Sequence, residues 1–301
     1  MTESLWHIEQ TQAAWSRGRP VDPARSGYTA DLGVNLFLGK LRTATEREFR
    51  EADGAELEDT ARRPAKMRAL VSSSALAVNF FDAWRDSPPG DLGKALGLGA
   101  LPESLSFEYK PLRYPVGPRS PNFDLLLSLE GGHHVAIESK FAEPFRAPGE
   151  DALLSPKYFP DGVDLWVRAG LPGAQQVAGR LAARWHYLDA AQLLKHMLGL
   201  ACESDAPATL LYLWYDTGLD DARAHRGEVA MFAELVHGDR VAFRSCSYQE
   251  VFGALRAGTE PVAGWREYVT ARYFGAHFRE LPGEPRRRVR SPVSRNLAED
   301  A

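Results

Sequence analysis

Apolar side chains recur at two different periods along the chain, and the change of period divides it. Over roughly the first hundred residues the spacing is helical. Residues 42–52 (RTATEREFREA) read as an exposed, charged helix that Asp53-Gly54 ends. After Pro64, residues 66–85 read as a second, more apolar helix. In it Met67, Leu70, Val71, Ala75, Val78 and Phe80 or Phe81 fall near helical spacing, and Pro88-Pro89-Gly90 stops it. A shorter helix is expected at 92–98.

From residue 105 the period becomes two. Residues 105–112 read as a strand with Leu105, Phe107 and Tyr109 on one face. Residues 123–129 and 134–141 read as two more strands, joined by Glu130-Gly131-Gly132. Residues 142–175 carry little periodicity and many Pro and Gly, and a loop of that length in a compact fold is commonly functional or mobile. Helical spacing returns over 176–201. The apolar run at 208–216 (ATLLYLWYD) suits a strand buried on both faces. A helix near 226–236, a fifth strand at 240–247 and closing helices at 248–257 and 261–278 complete the order. The result is an α/β fold, a mixed central β-sheet flanked by helices on both faces. Residues 1–66 are expected to be an N-terminal helical extension, 67–284 the main domain, and 285–301 (PRRRVRSPVSRNLAEDA) a basic, disordered tail.

The hairpin at 123–141 carries the chemistry. Phe123, Leu125, Leu127 and Leu129 share one face of the first strand, and Val135, Ile137 and Phe141 one face of the second. Burying both sets together puts Asp124 on the face of Glu138 and Lys140. A three-residue Glu130-Gly131-Gly132 loop places Leu129 opposite His133 and therefore Asp124 opposite Glu138. A four-residue loop would split the apolar set. Carboxylates about 5 Å apart across strands repel when ionised and are stable once a cation lies between them. Oxygen donors suit a hard ion, Mg²⁺ or Mn²⁺, and the Ser139 carbonyl could add a ligand. An ammonium at Lys140 could orient an attacking water or balance charge growing on phosphorus.

With Pro121-Asn122-Phe123-Asp124 followed by Glu138-Ser139-Lys140, the chain resembles the PD-(D/E)XK superfamily of restriction endonuclease-like nucleases, and specifically a bacterial branch of restriction endonucleases. The order helix, strand, strand with Asp, strand with ExK, helix, strand is that superfamily's αβββαβ core. Residues 72–81 (SSSALAVNFF) are similar to its first core helix, and the likeness covers roughly 67–216. It implies a metal-dependent DNA endonuclease of the restriction or defence kind, with Asp124, Glu138 and the Ser139 carbonyl at the metal and Lys140 catalytic. Gln192 matches a polar position on the following helix, and Glu108 an acid that often precedes the motif Asp. Pro121 stands three residues before Asp124 instead of next to it. The first core helix offers Asn79 where some members have Glu.

Plainer readings compete. Exposed antiparallel faces also carry Asp, Glu and Lys; Glu108 could simply pair with Lys110, and Gln192 could be a helix-surface residue. Asn79 reads as a satisfied buried polar group, His133, His134 and Glu143 as surface residues, and His196, at i+4 from Gln192, as structural. The same fold with a vestigial site would be a binding module, and an RNA-processing or repair nuclease would use the same chemistry.

Composition alters little. In 301 residues with 44% hydrophobic content and net charge −4, nothing suggests a basic nucleic-acid protein as a whole, so binding would need a local groove. With 7 Lys against 29 Arg, a Lys inside an apolar strand stands out. Arg286, Arg287, Arg288 and Arg290 form the clearest basic cluster, able to grip phosphates or to lie solvated. Two distant cysteines, no apolar leader and no long apolar run fit a cytoplasmic protein outside membranes. P-loop, GxGxxG and GxSxG motifs are absent. Cutting both DNA strands would call for two sites, hence a homodimer, although no segment marks an interface.

Overall fold

The computed structural model describes residues 1–52, 55–86, 90–117, 120–146, 153–160, 164–181, 185–203, 205–256 and 258–275. The basic tail and its arginines lie outside the described residues. Helices α1 (Glu3–Ser16), α2 (Thr43–Glu51), α3 (Ser73–Phe81) and α4 (Gly90–Ala95) precede the first strand. Strands β1 (Pro102–Tyr109), β2 (Phe123–Leu129) and β3 (His134–Lys140) follow in succession. After short helices α5 (Leu165–Arg168) and α6 (Pro172–Ala178) come α7 (Ala190–Glu203), β4 (Ala208–Trp214), α8 (Asp220–Leu235), β5 (Val241–Ser247), α9 (Tyr248–Ala254) and α10 (Trp265–Val269).

The strands form one sheet in the order β1-β2-β3-β4-β5. The β1–β2 and β2–β3 pairs are antiparallel, while β4 and β5 join in parallel. This mixed sheet confirms the α/β architecture. The β2–β3 register pairs Leu125 with Ile137 and Leu127 with Val135, and the Leu129 amide donates to the His133 carbonyl at 2.8 Å. That is the register expected from the three-residue loop, in which Gly131 and Gly132 have φ of +83° and +79°, a conformation glycine adopts without strain.

Helices cover both faces. The Ser139 hydroxyl meets the Tyr248 hydroxyl of α9 at 2.7 Å, and Tyr248 stacks edge-on against Phe80 of α3. Lys140, one residue on and so on the other face, meets Gln192 of α7. All seven residues of β4 are buried, as expected for a central parallel strand. Ile8, Leu36, Leu41 and Phe49 from the N-terminal stretch belong to the same apolar cluster as the sheet.

The outer edge of β1 is sealed by side chains. Arg85 donates to the Leu105 carbonyl at 2.9 Å, and the Glu48 carboxylate of α2 accepts the Phe107 amide at 2.9 Å. Arg85 and Glu48 are themselves paired, so the edge groups and the covering charges satisfy one another.

Two expected helices are broken. The stretch 66–85 starts with a single 3₁₀ turn, Lys66–Arg68, and α3 begins only after Ser72, whose side chain accepts the Ala75 amide. Main-chain groups at 67–70 bond elsewhere: Arg68 carbonyl with Thr29 amide (3.0 Å), Leu70 amide with Gly27 carbonyl (2.8 Å), and the Met67 and Ala69 carbonyls with the Asn35 amide. In the stretch 176–201, α6 ends at Ala178 and α7 starts at Ala190. Between them the amides of His186, Tyr187 and Leu188 all donate to Glu228 of α8 at 2.8–2.9 Å, and Asp189 then caps α7 by accepting the Gln192 amide. Periodicity cannot register a carboxylate arriving from another element. Of the expected loop 142–175, residues 147–152 and 161–163 lie outside the described set; the rest carries two 3₁₀ turns, α5 and the start of α6.

Candidate active site

Asp124 stands where β2 and β3 part. The main-chain register runs from Ser128–His134 to Leu125–Ile137 and stops. At the next step the Ser139 amide donates to Asp124 Oδ2 at 2.7 Å. A side chain thus takes over from the ladder, and the carboxylate is fixed at the fork by the backbone it has to face. The Lys140 carbonyl accepts the Tyr215 amide beyond β4 at 2.9 Å. By strand alternation the main chain of Ser139 then faces β2, and its carbonyl is directed to the Asp124 side.

Glu138 lies beside this fork, 1% exposed. Its Oε1 is 2.5 Å from Lys140 Nζ, and its Oε2 is 3.1 Å from Nδ1 of His196, itself 2% exposed. Both Glu138 oxygens are shielded from solvent. Lys140 Nζ also donates to Gln192 Oε1 at 2.8 Å. Glu108, with φ of +51° near the end of β1, accepts from Asn122 at 3.0 Å. Asp124, Glu138, Lys140, Ser139, Gln192 and Glu108 are therefore gathered around one fork at the β2/β3 junction.

Similarity to known proteins enters through one family. The family model described as Restriction Endonuclease associating with ARP matches residues 19–274. The chain belongs to that family. No curated protein and no solved structure matches it.

In this restriction endonuclease-like chain the carboxylates divide their charge unequally. Asp124 is pushed well up from the usual carboxylate range by burial and then by the Glu138 charge. Burial would also raise Glu138, but Lys140 and then His196 outweigh it and hold the group at about 2. Glu108 is pushed up to about 7 by burial, against the Asn122 bond, with the Glu56 and Glu138 charges adding to the rise. Lys140 is held above the ordinary lysine value by Glu138 and Asp124 in spite of its burial. Charge on Asp124 is thus disfavoured, and charge on Glu138 favoured. Among the described residues no three His, Cys, Asp or Glu side chains form a ready cation cage.

The remaining candidates fall away from the site or change meaning. Asn79 accepts the Phe37 amide and donates to Asn35 and Tyr273, a satisfied buried amide as expected. His133 bonds Thr209 at 2.9 Å and His134 contacts Ser128. Glu143 is exposed and accepts the Phe141 amide. Lys110 donates to the Glu51 carbonyl, so the simple Glu108–Lys110 pair is replaced by Glu108–Asn122. His196, expected to be merely structural, instead faces Glu138. Glu56 was missed: it is 9% exposed, accepts from Lys66 Nζ at 2.9 Å and Ser74 at 3.0 Å, and its charge reaches Glu108. It lies in a loop before α3, where no periodic pattern signals it.

Among the described residues, no helix is long and apolar enough to cross a membrane.

Proposed function

We propose that the chain is a Mg²⁺-dependent endonuclease of the PD-(D/E)XK type that hydrolyses phosphodiester bonds in double-stranded DNA in the cytoplasm. The observation that carries the proposal is the meeting of Asp124, Glu138 and Lys140 at the point where β2 and β3 part, with Asp124 Oδ2 on the Ser139 amide at 2.7 Å. Membership of a restriction endonuclease family supports it.

The donor set fits a hard divalent cation. Two carboxylates and a main-chain carbonyl meeting at one fork supply oxygen ligands. Asp124, Glu138 and the Ser139 carbonyl would hold Mg²⁺ or Mn²⁺, which when bound supplies Lewis acidity toward a phosphate oxygen and toward water. The chain's residues do the rest. Lys140, steadied by Gln192, orients the attacking water and offsets negative charge growing on phosphorus. Glu108, which changes protonation near neutrality, is available to exchange a proton. Cutting both strands calls for two such sites, and hence for a homodimer or two successive encounters.

Purified chain with Mg²⁺ is expected to nick supercoiled plasmid DNA and to be silent in EDTA, with Lys140→Ala reducing the rate by about 100-fold or more. Absence of cutting on DNA and RNA alike, with Mg²⁺ and with Mn²⁺, sinks the proposal; cutting confined to RNA selects a processing enzyme with the same chemistry.

A non-catalytic binding module is the second reading. One observation favours it: the Glu138 charge is already balanced by Lys140 at 2.5 Å. DNA binding that needs no metal and is unchanged by Asp124→Asn would select it.

A further inference from the structure

We infer that His196 is a positioning residue for Glu138: its Nδ1 stands against one carboxylate oxygen as Lys140 stands against the other, and by orienting the carboxylate it sets the affinity of the site for metal. The inference rests on the metal-site proposal above and adds to it a residue outside the Asp–Glu–Lys set.

Three observations carry it. First, one face of α7 addresses two members of the site. Gln192 reaches Lys140 at 2.8 Å, and His196, four residues on, reaches Glu138 Oε2 at 3.1 Å. Second, the imidazole is held in place. It packs edge-on against Phe123, with ring centroids 5.3 Å apart and planes at 88°. One turn later, α7 approaches Phe123 and Pro111 so closely that a Cβ at Gly199 would come within 3.4 Å and 3.0 Å of them. Third, Nδ1 is wholly buried and has no other hydrogen-bond partner. A side chain needed only for volume would carry no polar atom there, because an unpartnered buried nitrogen is costly. An imidazole with its proton on Nδ1, whatever its overall charge, can donate to Glu138.

Lys140 and His196 each stand against one Glu138 oxygen, and each oxygen has a second lone pair for a further partner. The carboxylate is thus held from both sides and still open to a third partner. Donors behind a ligating carboxylate orient it, and their loss commonly weakens metal binding by about 10- to 100-fold.

The test is Mn²⁺ titration of the full chain, following free Mn²⁺ by electron paramagnetic resonance, with thermal melts of each variant in EDTA. His196→Asn places an amide nitrogen where Nδ1 stands and is expected to bind Mn²⁺ close to the wild-type affinity. His196→Leu keeps the volume without a donor, and His196→Gln carries its donor one atom too far. Both are expected to bind about 10- to 100-fold more weakly. If His196→Leu does not fold, the Asn and Gln pair decides. Leu and Gln variants that bind as tightly as wild type overturn the inference while leaving the metal site intact, as does an Asn variant as weak as the Gln variant. Wild-type protein that binds no Mn²⁺ removes the metal site, and the inference with it.

Discussion

Asp124 Oδ2 accepts the Ser139 amide at 2.7 Å at the step where β2 and β3 cease to exchange main-chain hydrogen bonds. The residue proposed to bind metal thus also closes the hairpin, and its two duties separate on substitution. Asp124→Asn keeps an acceptor for Ser139 and removes a charge that burial and Glu138 disfavour. It should be inactive yet fold at least as stably as the parent. Asp124→Ala should be inactive and less stable by about 1–3 kcal/mol, the cost of a buried amide left without a partner. Urea denaturation in EDTA distinguishes them; equal midpoints would contradict the role given to this bond.

Gln192 fixes the Lys140 ammonium from α7. Gln192→Leu leaves Glu138 as the main partner of Lys140 and allows Nζ to shift. Displacement of a reacting group by about an ångström costs on the order of 100-fold in rate. The expected result is a lower kcat with little change in KM, read from initial nicking rates. A rise in KM alone would place Gln192 in substrate binding instead.

Glu108 predicts a pH effect of definite sign. Its pKa is raised from 4.5 to about 7 in the folded chain. Between those values the folded form holds a proton that the unfolded form has lost. The resulting stabilisation is full below pH 4.5 and disappears as pH rises through 7. The difference corresponds to roughly 3 kcal/mol at its limit. Glu108→Gln keeps the Asn122 bond and removes the titration, so its advantage over the parent should grow from pH 5 to pH 7.5 in metal-free urea melts. Parallel stability curves for the two proteins would refute this. Buried His225, held down at about 3 by desolvation, weakens the fold as pH falls below 6.5; that effect is shared by both proteins and cancels in the comparison.

Arg272, fully buried, ties the two ends of the described chain together. It donates to the Asn35 carbonyl and side chain at 2.6 Å each, to Tyr268 at 2.7 Å and to Gln12 at 3.3 Å, and it lies over the Trp15 ring. Arg272→Leu strands these acceptors and should cost about 3 kcal/mol or more in a denaturant titration. Arg272→Lys should recover little of it, since a single ammonium cannot span the fork. Full recovery by Lys would show that charge, not shape, matters there.

The hairpin was legible because two local signals agree: alternation on both strands and a double glycine that sets the register. Gln192 and Glu108 were legible as positions but not as partners, since their bonds to Lys140 and Asn122 join separate elements. His196 has its signal, the i+4 spacing from Gln192, but that spacing alone does not separate a structural histidine from one that meets Glu138. Glu56 had none: a loop carboxylate meets Ser74 only after α3 has packed. The start of α3 could have been read from Ser72, but the helical spacing of Met67 and Leu70 concealed it. The gap before α7 could not, because the Glu228 carboxylate accepts the three amides from 40 to 42 residues away.

The guarded flank of β1 limits how two copies could come together. With Arg85 on the Leu105 carbonyl and Glu48 on the Phe107 amide, a ten-stranded sheet running through two copies back to back along β1 would first have to break both contacts and uncover the Arg85–Glu48 pair. A paired assembly able to sever both DNA strands would have to be built from helices, loops or the far margin at β5 instead.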